Sequence, residues 1–501
     1  MSRAGFRRLA ADPVWWLAAL GVALRVRQWA SGRSLWLDEA QLANGVVGQT
    51  TYELLTQPLP ANQVAPIGTV LLMRAAVVAF GPADWAVRLV PLAAGIALVV
   101  AAAWLAHRMI RSLAGRVCLV GLTACSPALV YYAAEAKQYG LDAATALVVV
   151  AAAGTPGGAL APLACTGIVA PWLSHTAPFA LAAAGLVRLG EAWRERRRAQ
   201  VCALAGVGGL WLLSTALASR VTLQSVRGNF TMGPYWRDAF APTSFDAATA
   251  AWYANALQDL VAMAFKRAGP SALAPGLLWP SWLDLAVPVA VGAGLIAMLR
   301  RHPRRGLVVV LTFAAALGAS AAGLYPLQGR LLLFAVPLIF VALAVLVDVV
   351  AVRPGRWRRT GSWALSLALV ALVAAPAAKI ARRPVGGADV KGALAYVQAH
   401  RRPRDRLAVS AWSLPAVRFY RAQLNLGFFR PAPRVPHSFD AAAFLREVGR
   451  TKSTGRTWVV FSHRIAQRRD FLRGMRPVAT PLDAWEGDGA ATYLFVLPVR
   501  P

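Results

Sequence analysis

Long apolar blocks, separated by short polar connections, dominate the first three quarters of the chain. Each block approaches the ~20 apolar residues that an α-helix needs to cross the hydrocarbon core of a bilayer. The pattern therefore predicts a polytopic α-helical membrane protein. The blocks are Val14–Ala30, Trp85–Ala106, Val117–Tyr132, Leu141–Thr155, Leu204–Ala218, Leu283–Leu299, Leu307–Leu324, Leu331–Val350 and Trp363–Ala378.

The stretch Pro66–Phe80 is apolar but short, so it either spans the membrane or lies in the interface. Basic residues between spans mark cytoplasmic connections. Interfacial placement of this stretch is favoured, because it puts the basic segment His107–Arg116 in the cytoplasm. With the shorter segments between Thr155 and Arg194, the sequence predicts about 11–12 transmembrane helices.

The pattern changes after residue 380, because residues 381–501 contain no block long enough to span a bilayer. An amphipathic helix is predicted there, together with strands rich in β-branched and aromatic residues. We therefore expect a transmembrane domain over 1–380 and a small α/β domain over 381–501. The helix is Ala388–His400, and the strands are Leu407–Ser410, Thr457–Phe461 and Thr492–Leu497.

The chain is strongly basic, with 53 Lys and Arg against 22 Asp and Glu and a formal net charge of +31 over 501 residues. Such an excess in a soluble protein would suggest nucleic-acid binding. Here most basic clusters lie between apolar blocks, where positive charge sets topology, so no nucleic-acid partner is predicted. The clusters are Arg3/Arg7/Arg8, His107–Arg116, Arg194–Arg198, Arg300–Arg305 and Arg353–Arg359.

Placing all five clusters in the cytoplasm gives one consistent threading through a cell (inner or plasma) membrane. The N-terminus is then cytoplasmic, and residues 31–65 and 220–280 form exterior loops. The C-terminal domain is predicted to be extracytoplasmic, since long folded domains are translocated largely regardless of their charge. The first block is not predicted to be a cleavable signal peptide, because many spans follow it and a convincing cleavage site is missing.

Ionisable residues collect at predicted exterior helix ends. The first passage, SLWLDEAQLA, carries the adjacent carboxylates Asp38 and Glu39. Charged residues at membrane depth often mark functional sites. The alternative, a side chain that snorkels to the interface, is serious for Arg74 and Arg88 but weak for Asp38 and Glu39, because short carboxylates cannot reach far.

Three further exterior passages carry polar side chains. They are YYAAEAKQYGLD with Glu135, Lys137, Tyr139 and Asp142, YPLQGR with Tyr325 and Arg330, and PWLSH with His175. A carboxylate could take a proton from an incoming hydroxyl or amine, and nearby cations could neutralise a departing phosphate. This chemistry is group transfer from a phosphate-activated donor, and a lipid-linked donor fits because its tail stays in the bilayer.

Several common catalytic signatures do not occur in the sequence. It contains no G-x-x-x-x-G-K-[ST] loop and no G-x-G-x-x-G after a strand, which argues against a nucleoside triphosphate donor. It also contains no H-E-x-x-H and no G-x-S-x-G, the commonest protease and esterase motifs.

Four passages together resemble the C-type integral-membrane glycosyltransferases, in particular the branch of protein O-mannosyltransferases (dolichyl-phosphate-mannose-protein mannosyltransferase-like) and the aminoarabinose lipid A transferase. They are SLWLDEAQLA, APIGTVLLMRAAVVAFGPADWAVRLVPLAAG, SPALVYYAAEAKQYGLDAATAL and YPLQGRLLLFAVPL. The resemblance implies a polyprenyl-phosphate sugar donor and an exterior active site. It implies that Asp38 is the catalytic acid–base residue with Glu39 beside it, and that Lys137 and Arg330 bind the donor phosphate.

Glu135, Tyr139, His175 and Tyr325 are candidate substrate-binding residues. The chain departs from the resemblance at Val64–Ala65–Pro66, where relatives often carry a charged residue with two prolines. Gln63 and Asn62 are the polar residues nearest to that place. No cofactor is predicted, and a divalent metal stays an open alternative.

With one base and no evident opposing nucleophile, we expect a single displacement with inversion, although Glu39 leaves a covalent intermediate open. The acceptor could be a glycolipid, a polysaccharide or a protein. The alternative function is a transporter or flippase of lipid-linked sugar intermediates. Such a protein would tend to show internal repeats and polar groups near mid-membrane, whereas the polar groups here cluster on one face.

Overall fold

A computed structural model describes most of the chain. The described residues are 12–155, 160–227, 232–244, 246–269, 279–352, 355–403, 405–424, 426, 434–435, 455–462 and 465–497. The predicted basic cluster Arg3/Arg7/Arg8, parts of the predicted exterior loop 220–280 and the start of the cluster Arg353–Arg359 lie outside the described residues.

Helices form most of the part that precedes residue 383. They are α1 Pro13–Trp29, α2 Leu37–Gly48, α3 Thr51–Thr56, α4 Ile67–Phe80, α5 Asp84–Val87, α6 Leu89–Met109, α7 Leu113–Cys125, α8 Pro127–Tyr132, α9 Tyr139–Ala153, α10 Ala161–Leu173, α11 Ala177–Arg194, α12 Arg198–Arg227, α13 Met232–Trp236, α14 Ala247–Val261, α15 Leu283–Arg301, α16 Pro303–Ala321, α17 Val336–Val352 and α18 Arg356–Arg382.

Among the described residues, six helical segments are long and apolar enough to cross a membrane: Leu89–Met109, Arg198–Val226, Leu283–Arg301, Pro303–Ala321, Gly329–Val352 and Arg356–Arg382. Shorter apolar helices accompany them at Ile67–Phe80, Leu113–Cys125, Tyr139–Ala153 and Ala161–Leu173. The prediction of a polytopic α-helical membrane protein is therefore confirmed.

Helix α17 lies at the centre of the membrane domain, and 83% of the most apolar window in its segment Gly329–Val352 is buried. Small residues let its neighbours approach closely, as is common between membrane helices. A Cβ atom added to Gly294 of α15, for example, would lie 2.4 Å from the carbonyl oxygen of Ala342.

A proline divides one segment that hydropathy alone joins. The apolar block Val117–Tyr132 is not one helix, because α7 ends at Cys125 and Pro127 begins α8.

Helix α4 has 14 residues and is therefore about 21 Å long, which is short for a ~30 Å hydrocarbon core. Helix α12 also continues into the predicted exterior loop 220–280, as far as Arg227.

A five-stranded sheet forms the core of the C-terminal part, in the order β2-β1-β3-β5-β4. Strands β2, β1 and β3 are parallel, whereas β5 is antiparallel to both β3 and β4. The predicted small α/β fold is confirmed, including its helix and all three predicted strands. The elements are β1 Arg406–Ser410, β2 Arg434–Val435, β3 Arg456–Ser462, β4 Asp483–Gly487 and β5 Ala490–Val496, with helices α19 Val390–His400, α20 Leu414–Gln423 and α21 Ile465–Met475.

The C-terminal domain packs directly on the segment that leads into helix α2. The backbone N–H of Leu35 donates to the hydroxyl of Tyr420 at 2.8 Å, and Ser34 Oγ donates to Asp389 Oδ1 at 2.8 Å. Asn44 of α2 donates to the carbonyl of Pro415 at 2.8 Å. The α/β domain therefore helps to fix the position of the passage that carries the paired carboxylates.

Candidate active site

Asp38 and Glu39 lie in the first turn of α2, where the positive end of the helix dipole stabilises negative charge. Consecutive helical residues point in different directions, and the two carboxylates accordingly have different surroundings. Glu39 is fully buried, whereas the side chain of Asp38 is 22% exposed. Glu39 is therefore shielded from solvent, whereas Asp38 is accessible to it.

Glu39 is held by donors from three segments of the chain. Arg33 Nη1 and Arg88 Nε each lie 2.8 Å from its oxygens. The backbone N–H groups of Ala136 and Trp36 donate to it at 2.7 and 3.0 Å. Burial by itself raises the pKa of Glu39, but the charges of Arg33 and Arg88 outweigh it and lower the pKa to about 2. Glu39 is thus an ionised residue that ties these segments together.

Asp38 forms an ion pair with Arg330, which lies 292 positions later in the chain. The side chain of Arg330 is 17% exposed, and its guanidinium lies 5.5 Å from the centre of the Tyr139 ring. The structure therefore brings together Asp38, Arg330 and Tyr139, which the sequence placed in three separate passages. A partly exposed carboxylate and a partly exposed guanidinium can both contact a substrate.

Lys137 lies beside this pair and is nearly buried. Its ammonium donates a hydrogen bond to Gln63 Oε1, and Gln63 Nε2 donates to Gln41 Oε1 at 2.8 Å. Burial lowers the pKa of Lys137, and the negative charge of Asp38 partly opposes that effect. In the stretch before Pro66, where relatives often carry a charged residue, Gln63 is thus the side chain that contacts Lys137.

Glu135 is fully buried, and neither of its carboxyl oxygens has a hydrogen-bond partner among the described residues. Burial, followed by the negative charge of Glu39, raises the pKa of Glu135 to about 7, although Arg33 and Arg330 act in the opposite direction. The raised pKa favours the protonated, neutral form of this carboxyl. Glu135 lies close to Asp38 and Arg330, and its assignment as a substrate-binding residue stays a prediction.

A tight turn precedes Arg330 and sets its direction. Gly329 has φ +54, a conformation that glycine adopts at little cost. Its backbone N–H donates to Asp259 Oδ2 at 2.7 Å, and Arg267 Nη2 lies 2.6 Å from Asp259 Oδ1. Asp259 and Arg267 were not singled out from the sequence, because only the fold shows that α14 lies against the turn at Gly329.

His175 and Tyr325 contact other parts of the surrounding structure. His175 Nε2 lies 3.4 Å from Thr222 Oγ1, and burial lowers the pKa of His175 to about 4. The hydroxyl of Tyr325 donates to the carbonyl of Leu331 at 3.0 Å, and its ring packs against Phe179. Their assignment as substrate-binding residues stays a prediction.

Sequence reasoning missed the two arginines that hold Glu39. The snorkelling interpretation of Arg88 is wrong, because its side chain is almost completely buried and faces Glu39. Arg33 directly precedes the passage that carries the carboxylates, and its spacing of six residues from Glu39 was the available signal. Among the described residues, no three His, Cys, Asp or Glu side chains are grouped closely enough to hold a metal ion.

No family model matches the chain, and no curated protein matches it. Among solved structures, it is similar to ArnT from Cupriavidus metallidurans in the apo state, with 14% sequence identity, a TM-score of 0.51, and coverage of 95% of this chain and 97% of that chain. It is also similar to ArnT from the same organism bound to undecaprenyl phosphate, with 13% identity, a TM-score of 0.53 and coverage of 98% of each chain. The fold implied by the resemblance is confirmed. The chain therefore has the polytopic membrane fold of ArnT over nearly its whole length.

Proposed function

We propose that the protein transfers a sugar from a polyprenyl-phosphate donor to an acceptor at the extracytoplasmic face of the membrane. The observation that carries this proposal is the partly exposed ion pair of Asp38 and Arg330, with Lys137 beside it. A fold shared with ArnT, one structure of which is bound to undecaprenyl phosphate, supports the donor class. The resemblance of the four sequence passages supports the reaction class.

In the proposed reaction, the acceptor hydroxyl attacks the anomeric carbon of the sugar while the bond from that carbon to the phosphate oxygen breaks. Asp38 takes the hydroxyl proton as general base. Arg330 and Lys137 stabilise the negative charge that develops on the departing polyprenyl phosphate. Single displacement gives a product of inverted anomeric configuration.

The pairing of Asp38 with Arg330 suggests how binding of the donor prepares the base. An incoming phosphate competes with Asp38 for the guanidinium, because arginine binds phosphate and carboxylate with similar geometry. Once Arg330 contacts the phosphate, Asp38 is left to accept a proton. Glu39 lies behind this pair, and its contacts favour a positioning role through Arg33 and Arg88.

The decisive experiment measures release of free polyprenyl phosphate by purified protein from a polyprenyl-phosphate sugar, with candidate acceptors in detergent. A flippase would leave the donor intact. For Asp38→Asn we expect a folded protein whose transfer rate falls by at least about 10²-fold, the usual contribution of a general base. Asp470→Asn, which changes an exposed carboxylate of the C-terminal domain, is the matched control.

Near-normal transfer by Asp38→Asn would remove Asp38 from the mechanism. The anomeric configuration of the product, determined by NMR, tests single displacement, and retention would reject it. The acceptor class, whether glycolipid, polysaccharide or protein, can be assigned by mass spectrometry of envelope glycans and glycolipids from a deletion strain.

The proposed orientation has its own test. Gln57 is exposed in the segment 31–65, so a Gln57→Cys variant can be labelled in sealed vesicles with a membrane-impermeant maleimide. We expect labelling only from the extracytoplasmic side. Labelling only from the cytoplasmic side would contradict an exterior active site.

A further inference from the structure

A cavity of about 490 Å³ lies between the ends of helices α9, α11 and α16. Helix α9 runs from Tyr139, beside Arg330, to Ala153, so that its 15 residues extend about 20 Å. Gly154, which follows α9, lines the cavity. The cavity therefore lies at the end of the membrane domain opposite to Asp38, and the proposed reaction does not use it.

The charged residues that line this cavity are mostly cationic. Arg194, Arg304 and Arg305 line it together with one carboxylate, Glu191. Arg304 Nε forms an ion pair with Glu191 at 2.8 Å, which compensates one of the three positive charges. The remaining excess of positive charge favours an anionic ligand.

Arg305, which lines this cavity, and Arg188, which lies beside the cavity without lining it, have buried donor atoms without a hydrogen-bond partner among the described residues. They are Nε of Arg305, and Nε and Nη2 of Arg188. Arg188 is only 3% exposed and lies in α11 between Val187 and Gly190, which both line the cavity. Buried donors are normally satisfied, so the unpartnered Nε of Arg305 favours an acceptor in the cavity.

The start of helix α16 adds to the same preference. The helix begins at Pro303, which lines the cavity, and it has 19 residues. The first N–H groups of a helix have no intrahelical acceptor, and the helix dipole favours negative charge at this end. Phosphate groups bind readily at such a position.

Apolar residues continue from the cavity onto the surface that faces lipid. Leu186 and Leu307 line the cavity and are 62% and 41% exposed. Trp193, adjacent to Arg194, is also exposed, and tryptophan is enriched at membrane interfaces. A free phosphate ion would not use this apolar surface, whereas the acyl chains of a phospholipid would.

We infer that this cavity binds the phosphate headgroup of an anionic membrane phospholipid, through Arg194 and Arg305, with the acyl chains lying along Leu186 and Leu307. Basic pockets between membrane helices on the cytoplasmic side commonly bind such headgroups. The site is separate from the proposed donor site and would hold a lipid as a structural or regulatory ligand.

The test uses delipidated full-length protein titrated with phosphatidylglycerol and followed by native mass spectrometry, with phosphatidylcholine as the zwitterionic comparison. We expect one phosphatidylglycerol to bind preferentially, and R194A/R305A to bind it at least tenfold more weakly. The matched control is R300A/R301A, which removes two charges from the adjacent end of α15 without changing the cavity lining. The single variant R194A, at an exposed position, provides the same comparison if the double variant does not fold.

Equal loss of phosphatidylglycerol binding in R194A/R305A and R300A/R301A would overturn the inference, because it would indicate attraction to general surface charge. Equal binding of phosphatidylcholine would also overturn it. Displacement of the bound lipid by millimolar inorganic phosphate would identify the cavity as a free-phosphate site and reject the lipid assignment.

Discussion

Arg88 and Glu39, 49 positions apart, form a fully buried ion pair in which Arg88 Nε and Nη2 donate to the two carboxylate oxygens at 2.8 and 2.9 Å. Two parallel hydrogen bonds of this kind fix geometry as well as charge. Because Glu39 lies in the first turn of α2 and Arg88 directly precedes α6, the pair sets the position of Asp38 relative to the membrane helices.

The first prediction concerns this pair. Arg88→Met leaves Glu39 buried with one guanidinium fewer, and removing one partner of a buried pair destabilises proteins by about 3–5 kcal/mol. We expect a clearly lower thermal unfolding temperature in detergent. The control is Arg383→Met, which breaks the solvent-exposed pair with Asp488 and should change the unfolding temperature little. Equally small changes in the unfolding temperature of both variants would show that the buried pair of Arg88 and Glu39 does not stabilise the fold.

The second prediction concerns Glu135 and pH. Its pKa in the folded protein is about 7, above its ordinary value of 4.5. The folded state therefore binds more protons than the unfolded state between these pH values, and stability falls as pH rises from about 4.5 to about 7. Glu135→Gln should remove this loss, at most about 1.4 kcal/mol for each pH unit.

The measurement for Glu135 is the difference in thermal unfolding temperature between wild type and Glu135→Gln at a series of pH values. The variant should gain relative stability as pH rises through this window and show a constant difference above it. Parallel pH profiles for the two proteins would show that Glu135 titrates normally in the folded state.

The third prediction concerns the turn at Gly329. Its φ of +54 would strain a β-branched residue, by about 1–2 kcal/mol from backbone sterics. Gly329→Val should therefore shift Arg330 away from Asp38 and reduce transfer, with a larger effect on activity than on stability. Gly318→Ala is the control, because an added Cβ there meets no atom within 4 Å. Transfer assays and thermal unfolding of both variants are the measurements, and unchanged transfer by Gly329→Val would reject the role of the turn.

Hydropathy was sufficient to predict the six long apolar helices among the described residues, because a membrane helix must satisfy its own backbone hydrogen bonds and present apolar side chains to lipid. The strands Leu407–Ser410 and Thr457–Phe461 were likewise predictable from their β-branched and aromatic residues. The break between Cys125 and Pro127 was not predicted, although proline restricts the conformation of the residue before it.

The candidate site was predictable only in part. Asp38, Lys137 and Arg330 were identified from their passages, and two of them, Asp38 and Arg330, are in direct contact. The contacts of Glu39 with Arg88 were not predicted, because an ion pair between distant positions depends on how helices pack. An arginine beside an apolar helix has the same local sequence pattern whether it snorkels or is buried.

The last prediction tests whether the C-terminal domain controls the active-site passage. The Tyr420 hydroxyl accepts from the backbone N–H of Leu35 at 2.8 Å and donates to Asp84 Oδ2 at 3.3 Å. Tyr420→Phe leaves the buried Leu35 N–H without this acceptor, a loss of about 1–3 kcal/mol. Faster amide hydrogen exchange in the segment before α2, together with slower sugar transfer, is the expected result. Tyr396→Phe removes a hydroxyl that bonds Asp483 within the same domain and should leave both measurements unchanged. Equal exchange at Leu35 in the two variants would show that docking of the C-terminal domain does not hold the passage that carries Asp38.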